Sequence, residues 1–407
     1  MSCRAIESTL PGLPNFMLTP KKYYSPWGIL SFLLVSSKSL HSSTDSFFLD
    51  IPSIHRGPYP PDPFASIMGR TAPMLVAIIF VGVRNNTHLE FFYYIYNMRT
   101  ITGIGETVLD VIFKDDQPMA AVPGGSTFNA MISIGRTVGR QFPQVGIRLV
   151  SEVGDDHIAD IITNFMEQNG VSSSAVTRRP ASQSHVSVAF LDKDNNADYE
   201  FYKDHSHAEL NPGALKGITF KPDDIVLFGS YFAVNPVIRP FTSRLLNEAR
   251  EAGAIIYYDI NFRKSHISEL KQILPSIQEN CRLSDFVRGS DEDFGYLFGT
   301  QDPVIIYKDF ISPLCQNFIC TCGAEPVHVF TGESHMVFPV ERTETVSTIG
   351  AGDSFNAGFI YSLISKGITR ADISRLDGET WAALIGTAGK FSAEVCRSIF
   401  NYVAVSP

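Results

Sequence analysis

Thr348-Ile-Gly-Ala-Gly-Asp353-Ser-Phe-Asn-Ala-Gly-Phe-Ile-Tyr361 is the stretch on which the fold turns. Gly350, Ala351 and Gly352 stand directly before an apolar run at 355–364 that reads as a helix, with Asp353 at or inside its first turn. Glycines allow a tight turn and close approach of a ligand to the backbone. The unpaired N–H groups and dipole of a helix start favour an anion there. A carboxylate in the same turn can take a proton from an attacking hydroxyl. Positioned donors beside a base suit phosphoryl transfer, in which charge develops on the phosphate oxygens. A plain capped helix, with Asp353 as its cap, accounts for the same spacing.

Three further segments carry polar groups at element ends. Pro123-Gly-Gly-Ser-Thr-Phe-Asn-Ala-Met131 opens a helix with Gly124 and Gly125 and places Asn129 on its first turns. A tight loop entry explains that pair equally well. Gly105-Glu106-Thr-Val-Leu-Asp110 is expected at the end of the first strand and presents two carboxylates. Strand ends are where open α/β sheets bind ligands, although solvated surface acids fit the same residues. Tyr258-Asp259-Ile-Asn261-Phe-Arg263 follows another strand, and alternation is expected to turn Asp259, Asn261 and Arg263 to one side. A polar loop with no ligand is the plain alternative.

Outward from these segments, short apolar runs alternate with amphipathic stretches. Strands are expected at 145–150, 185–191, 199–202, 225–228, 254–259, 317–321 and 327–330. Helices are expected at 126–142, 156–169, 236–252, 265–278, 291–298, 353–366 and 379–396. Such alternation indicates a mostly parallel sheet covered by helices on both faces. The runs at 186–191 and 199–202, joined by a polar linker, instead read as an antiparallel hairpin.

The 407 residues allow one large α/β domain with an appendage, or two to three domains. A net charge of −9 argues against nucleic acid or an anionic membrane as the main partner. Six cysteines are too few for a disulfide framework in a chain this long and read as reduced residues of a cytoplasmic protein. Cys320-Thr-Cys322 lacks the second ligand pair of a zinc site. Gly386-Thr-Ala-Gly-Lys390 lacks the P-loop spacing, and Gly103-Ile-Gly105 lacks the third glycine of a dinucleotide fingerprint. No Gly-x-Ser-x-Gly elbow is present. His205 and His207 read as solvated residues of a polar loop.

Residues 1–97 differ in character, with 10 of the 24 prolines and only 12 charged residues. They are expected to stand outside the catalytic fold, with Met98 as its start and 98–407 as the domain proper. The apolar runs at 27–35 and 74–83 fall well short of the ~20 residues that a spanning helix needs. Lys21-Lys22 and the apolar stretch at 29–35 have the pattern of a signal peptide counted from Met17, a weaker reading than a dispensable extension.

In chain order, the four polar segments resemble the ribokinase-like (PfkB) family of carbohydrate kinases over about residues 99–400. The N-terminal signature is similar to Gly124-Gly125-Ser-Thr-Phe-Asn129 followed by Val150-Ser-Glu-Val-Gly-Asp155-Asp156, and the C-terminal one to Ser347-Thr-Ile-Gly-Ala-Gly-Asp353. The opening Gly105-Glu106-Thr-Val-Leu-Asp110 looks most like fructokinases and 2-keto-3-deoxygluconate kinases.

The resemblance implies a three-layer α/β/α, Rossmann-like domain with a small β lid at about 108–122 and 186–204. It implies ATP- and Mg2+-dependent phosphorylation of a hydroxyl of a small sugar or keto-sugar acid. Asp353 matches the catalytic base, and the backbone of Gly350, Ala351 and Gly352 matches the anion hole. Asp110, Gly124, Gly125 and Asn129 match positions that hold sugar hydroxyls, with Lys203 and Arg263 also assigned to the substrate. Asp259 and Asn261 line the phosphate side beside Arg263, Thr321 and Gly323 match a nucleotide-contacting turn, and Ser290 belongs to the same side. Asp293 matches a metal-linked carboxylate. A homodimer is implied by resemblance alone.

Three positions depart from the family. Ser347-Thr348-Ile349 replaces Asp-Thr-Thr, removing a carboxylate beside the monovalent-cation site. Ser290-Asp291-Glu292-Asp293 replaces Asn-x-x-Glu. Lys203 stands where sugar-acid and fructose kinases often carry arginine, keeping the charge but not the bidentate fork. A nucleoside kinase of the same fold, and a binding protein without turnover, are the competing readings.

Overall fold

The computed structural model describes residues 16–25, 28–37, 78–85, 88–95, 99–191, 197–202, 217–332 and 334–404. Lys203, His205 and His207 lie outside the described residues. The chain separates into two units, residues 1–97 and 98–407. The first contains two antiparallel hairpins, β1 (Phe16–Ser25) with β2 (Gly28–Ser37), and β3 (Ile78–Asn85) with β4 (His88–Ile95). Among the described residues no helix is long and apolar enough to cross a membrane.

The second unit begins with β5 (Thr100–Ile104), β6 (Val108–Lys114), β7 (Gln117–Gly124), α1 (Ser126–Gln141), β8 (Gly146–Gly154) and α2 (His157–Gln168). It continues with β9 (Val176–Arg179), β10 (Val186–Leu191), β11 (Ala197–Tyr202), β12 (Ile225–Gly229), α3 (Arg239–Glu251) and β13 (Ile255–Asp259). Then follow α4 (Leu270–Leu283), β14 (Phe286–Ser290), α5 (Asp291–Phe298), α6 (Pro303–Ile305), β15 (Asn317–Cys322) and β16 (Glu325–Thr331). The last elements are β17 (Ser334–Phe338), α7 (Ala351–Ser365) and α8 (Gly378–Cys396).

The main sheet has the order β17-β16-β15-β14-β13-β12-β5-β8-β9. It is parallel from β15 to β9, and β16 and β17 close one edge as an antiparallel meander. Every residue of β12 (Ile-Val-Leu-Phe-Gly) and β13 (Ile-Ile-Tyr-Tyr-Asp) is buried, because strands covered on both faces need no polar side. Alternation then sorts their side chains into two cores. Ile225, Leu227, Ile255 and Tyr257 pack in one core with residues of α1, α7 and α8, while Val226, Phe228, Ile256 and Tyr258 pack in the other with α3, α4 and α5. The outcome is a three-layer α/β/α domain.

A second sheet, of order β11-β10-β6-β7, carries the expected β10–β11 hairpin and a further β6–β7 hairpin, with β10 parallel to β6. This sheet corrects one expectation. Asp110 does not end the first strand; it lies mid-strand on β6, three residues beyond a turn that takes the chain out of the main sheet. Within the second unit, three strands went unanticipated: β9, β14 and β17. The helix expected at 265–278 begins instead as a 3-10 turn at Lys264–Glu269, and α4 runs on to Leu283 with Pro275 inside it.

Candidate active site

The carboxyl ends of β5, β12, β13, β14 and β15 bring Gly105, Gly229, Asp259, Ser290 and Thr321 to one edge of the sheet. Gly350 caps α7 with φ +76°, and a Cβ there would overlap the Asn401 carbonyl. Only glycine meets both demands at low cost. Ala351 donates its amide to the Thr348 carbonyl (3.2 Å). The turn therefore leaves the amides of Gly350, Gly352 and Asp353 without a carbonyl partner among the described residues, while that of Ala351 closes the turn.

Asp353 is buried in the first turn of α7 and faces the start of α1. Its Oδ1 accepts from Ser126 Oγ (2.6 Å) and its Oδ2 from Asn129 Nδ2 (2.9 Å). Burial pushes its carboxyl up to about 6, against the pull of those two donors, with Asp259 adding to the rise and Arg263 opposing it. A carboxylate in this range changes protonation close to physiological pH, as a general base should. Gly125 starts α1 with φ +119°, where a Cβ would overlap the Glu106 carbonyl, so the Gly-Gly pair sets the approach of α1 to the strand end. Ser126 was not anticipated as a partner of Asp353; its place at the head of α1 was the available signal.

Asp110 accepts from Ser187 Oγ on β10 and from Asn401 Nδ2 (3.3 Å). Burial pushes its carboxyl to about 6, with Ser187 opposing and Glu106 and Asp353 adding. A Cβ on Gly124 would overlap Asp110 Oδ2, so Gly124 opens the space that this carboxylate occupies. Asp110, Gly124, Gly125, Asn129 and Asp353 therefore form one cluster, built from the second sheet and two helix starts.

The neighbouring side is organised by a residue that sequence reasoning missed. Arg288, on β14, is buried and donates from Nη1 to Asp259 Oδ1 (3.1 Å) and from Nη2 to Thr321 Oγ1 (2.6 Å). The same nitrogens stand 2.9 and 3.0 Å from where a Cβ on Gly352 would be. Burial works against its charge, yet Asp259, with Tyr257 and Asp293, holds its pKa above the ordinary arginine value. Asp259 Oδ2 accepts from Asn356 Nδ2 (2.7 Å), tying β13 to α7. One guanidinium thus joins β13, β14 and β15 beneath the glycine turn.

The other expected residues fall differently. Asn261 has φ +38° and donates from Nδ2 to Ser230 Oγ (2.8 Å), while Arg263 is exposed, so simple alternation does not carry Asp259, Asn261 and Arg263 to one side. Gly323, with φ +60°, turns the β15–β16 hairpin directly after Cys322, two residues beyond Thr321. Ser290 and Asp293 cap α5 reciprocally: Ser290 Oγ accepts from the Asp293 amide (3.1 Å) and Asp293 Oδ2 from the Ser290 amide (2.7 Å). This capping box engages Ser290 Oγ and one of the two Asp293 oxygens. Burial, then Asp259, pushes the Asp293 carboxyl up to about 6. Among the described residues no group of three or more His, Cys, Asp or Glu side chains gathers as a metal cage. The capping box leaves Asp293 Oδ1 without a protein donor among the described residues, which fits a magnesium ion carried chiefly by substrate phosphates.

Comparison with known proteins agrees with this fold. The chain is 26% identical over 282 residues to the fructokinase of Rhizobium leguminosarum bv. trifolii, covering 67% of this chain and 82% of that protein. It is 23% identical over 287 residues to probable fructokinase-3 of Arabidopsis thaliana, covering 68% and 81%. Among solved structures, Vibrio cholerae O395 fructokinase with bound fructose, ADP and potassium superposes with a TM-score of 0.66 at 20% identity, covering 76% of this chain and 95% of that one. Aminoimidazole riboside kinase from Salmonella enterica, complexed with aminoimidazole riboside and an ATP analogue, gives 0.63 at 20% identity, with 76% and 97% covered. The pfkB family carbohydrate kinase profile matches residues 98–397, and the chain belongs to that family.

Proposed function

We propose that this carbohydrate kinase transfers the γ-phosphoryl group of ATP to a hydroxyl of fructose or a closely related small sugar. The observation that carries the reading is Asp353, buried in the first turn of α7 beside the unpartnered amides of Gly350 and Gly352. The carboxylate takes the proton of the attacking hydroxyl, and the amides and helix start stabilise charge on the migrating phosphoryl. Ser126 and Asn129 hold the carboxylate in place, while Asp110 orients the sugar. The Arg288–Asp259–Asn356 chain fixes the first turn of α7, and Thr321 places the nucleotide side against it. Magnesium, when bound with the nucleotide, supplies charge neutralisation, with Asp293 the carboxylate offered from β14–α5.

Acceptors dominate the sugar side: Asp110, Asp353 and the Asn129 Oδ1, which has no protein donor among the described residues. Such a set matches a ligand rich in hydroxyl donors better than a sugar acid. The reading includes a catalytic domain at 98–407 and a cytoplasmic location where ATP is available. It also includes a homodimer through the second sheet, supported by the exposure of Met119, Phe190 and Tyr202.

The test is ADP release from purified protein with magnesium-ATP and, in turn, fructose, 2-keto-3-deoxygluconate, ribose and adenosine. Fructose is expected to give the highest kcat/KM. A clear preference for adenosine refutes the sugar assignment, and binding of sugar without ADP release refutes turnover.

A further inference from the structure

The chain's last described residues return to the candidate site after α8. Val403 is fastened to α1 from both sides, its carbonyl accepting from Arg136 Nη1 (2.8 Å) and its amide donating to Ser133 Oγ (3.2 Å). Tyr402 packs against Phe165 and under the Arg136 guanidinium, 4.7 Å from its ring centre. Asn401, immediately before them, is only 2% exposed. Its carbonyl lies against Gly350, and its Nδ2 donates to Asp110 Oδ2 (3.3 Å). One residue therefore touches both the glycine turn of α7 and the carboxylate of the second sheet.

The amide orientation follows from chemistry. An ionised carboxylate only accepts, so the NH2 group must face Asp110 and the oxygen must point away. That Oδ1 is buried and has no protein donor among the described residues. Buried amide oxygens are normally paired, and an orphan inside a ligand site calls for an external donor. A sugar hydroxyl is such a donor.

We propose that Asn401 is a sugar-binding and specificity-determining residue, its Oδ1 accepting from a substrate hydroxyl while its Nδ2 orients Asp110. This rests on the sugar-kinase reading above. The residue touches substrate through its oxygen, and its fixed backbone gives that contact a defined direction. Removal of the side chain weakens the sugar and leaves the nucleotide unaffected.

The experiment pairs Asn401→Ala and the near-isosteric Asn401→Asp with fructose analogues in which each hydroxyl other than the phosphorylated one is removed in turn. For wild type, one deoxy analogue is expected to lose about tenfold or more in kcat/KM, as for a site built to bond that hydroxyl. Asn401→Ala loses a similar factor with fructose but nothing further with that analogue, and its KM for ATP is unchanged. Asn401→Asp places a second carboxylate against Asp110, which Glu106, Asp353 and Tyr402 also face, so the acid limb of kcat/KM for sugar moves to higher pH.

Equal losses for every analogue in wild type and Asn401→Ala overturn the inference, as does an unshifted acid limb in Asn401→Asp. If Asn401→Ala does not fold, the analogue series is read on Asn401→Leu, which is similar in size and also removes the acceptor, with the same criterion. A wild type that releases no ADP with any sugar refutes the kinase reading instead, and the contact proposed for Asn401 with it.

Discussion

Replacement of Asp353 by asparagine separates the chemistry of this site from its stability. The carboxyl is raised from 3.8 to about 6 in the folded chain. Two units at 1.36 kcal/mol each amount to about 3 kcal/mol of cost to keep the group ionised. Because the folded value lies above the unfolded one, this cost is absent below pH ~4, grows as pH rises through the interval to ~6, and is complete at neutrality. An amide carries no charge to bury. Its oxygen can accept from Asn129 Nδ2, and its NH2 can donate to Ser126 Oγ, which accepts as readily as it donates. Asp353→Asn is therefore expected to melt a few degrees above wild type at pH 8, with the difference vanishing near pH 4. Turnover, followed by coupled ADP release, is expected to fall by about 10²–10⁴-fold, the contribution of a positioned base. The wild-type rate should decline as pH falls through about 6. Near-normal turnover in a folded Asp353→Asn protein, with the acid limb unmoved, refutes the assignment of this carboxylate as the base.

Two other substitutions test the surroundings. Gly124→Ala drives a methyl group into Asp110 Oδ2, so the KM for sugar should rise about tenfold with the KM for ATP unchanged, measured by varying each substrate separately. Arg288→Met leaves Asp259 charged and unpaired in the core, which should cost about 3–5 kcal/mol in denaturant unfolding. Arg288→Lys, which keeps the charge but not the fork, should recover stability only in part and show a raised KM for ATP.

The layered architecture was legible because the strands that carry it are unbroken apolar runs. The sequences Ile-Val-Leu-Phe at 225–228 and Ile-Ile-Tyr-Tyr at 255–258 have no reading other than buried strands between helices. β14 was missed for the opposite reason. Phe286-Val-Arg-Gly-Ser290 carries a full charge in its centre, and only Asp259, a partner from another strand, makes that charge tolerable in the core. β9, Val-Thr-Arg-Arg, hides in the same way, since Arg179 is buried against Glu152. Asp353 and the glycine pairs announced themselves through helix-start chemistry, which is local. Asp110 was placed in the wrong element, because the chain changes sheets within the three residues after Ile104 with no proline to mark it. Asn401 had no local signal: its bond to Asp110 spans 291 positions of sequence.

The two donors on Asp353 bear on what the enzyme does when sugar is absent. With Ser126 on one oxygen and Asn129 on the other, the Asp353 carboxylate is fixed in direction and keeps one acceptor site on each oxygen. On the proposed mechanism an alcohol held at the right angle by neighbouring groups takes one of these sites, and ADP release in the absence of sugar is expected to be slow. The start of α7 is thereby tied to the start of α1, so that a shift of either helix is passed to the other.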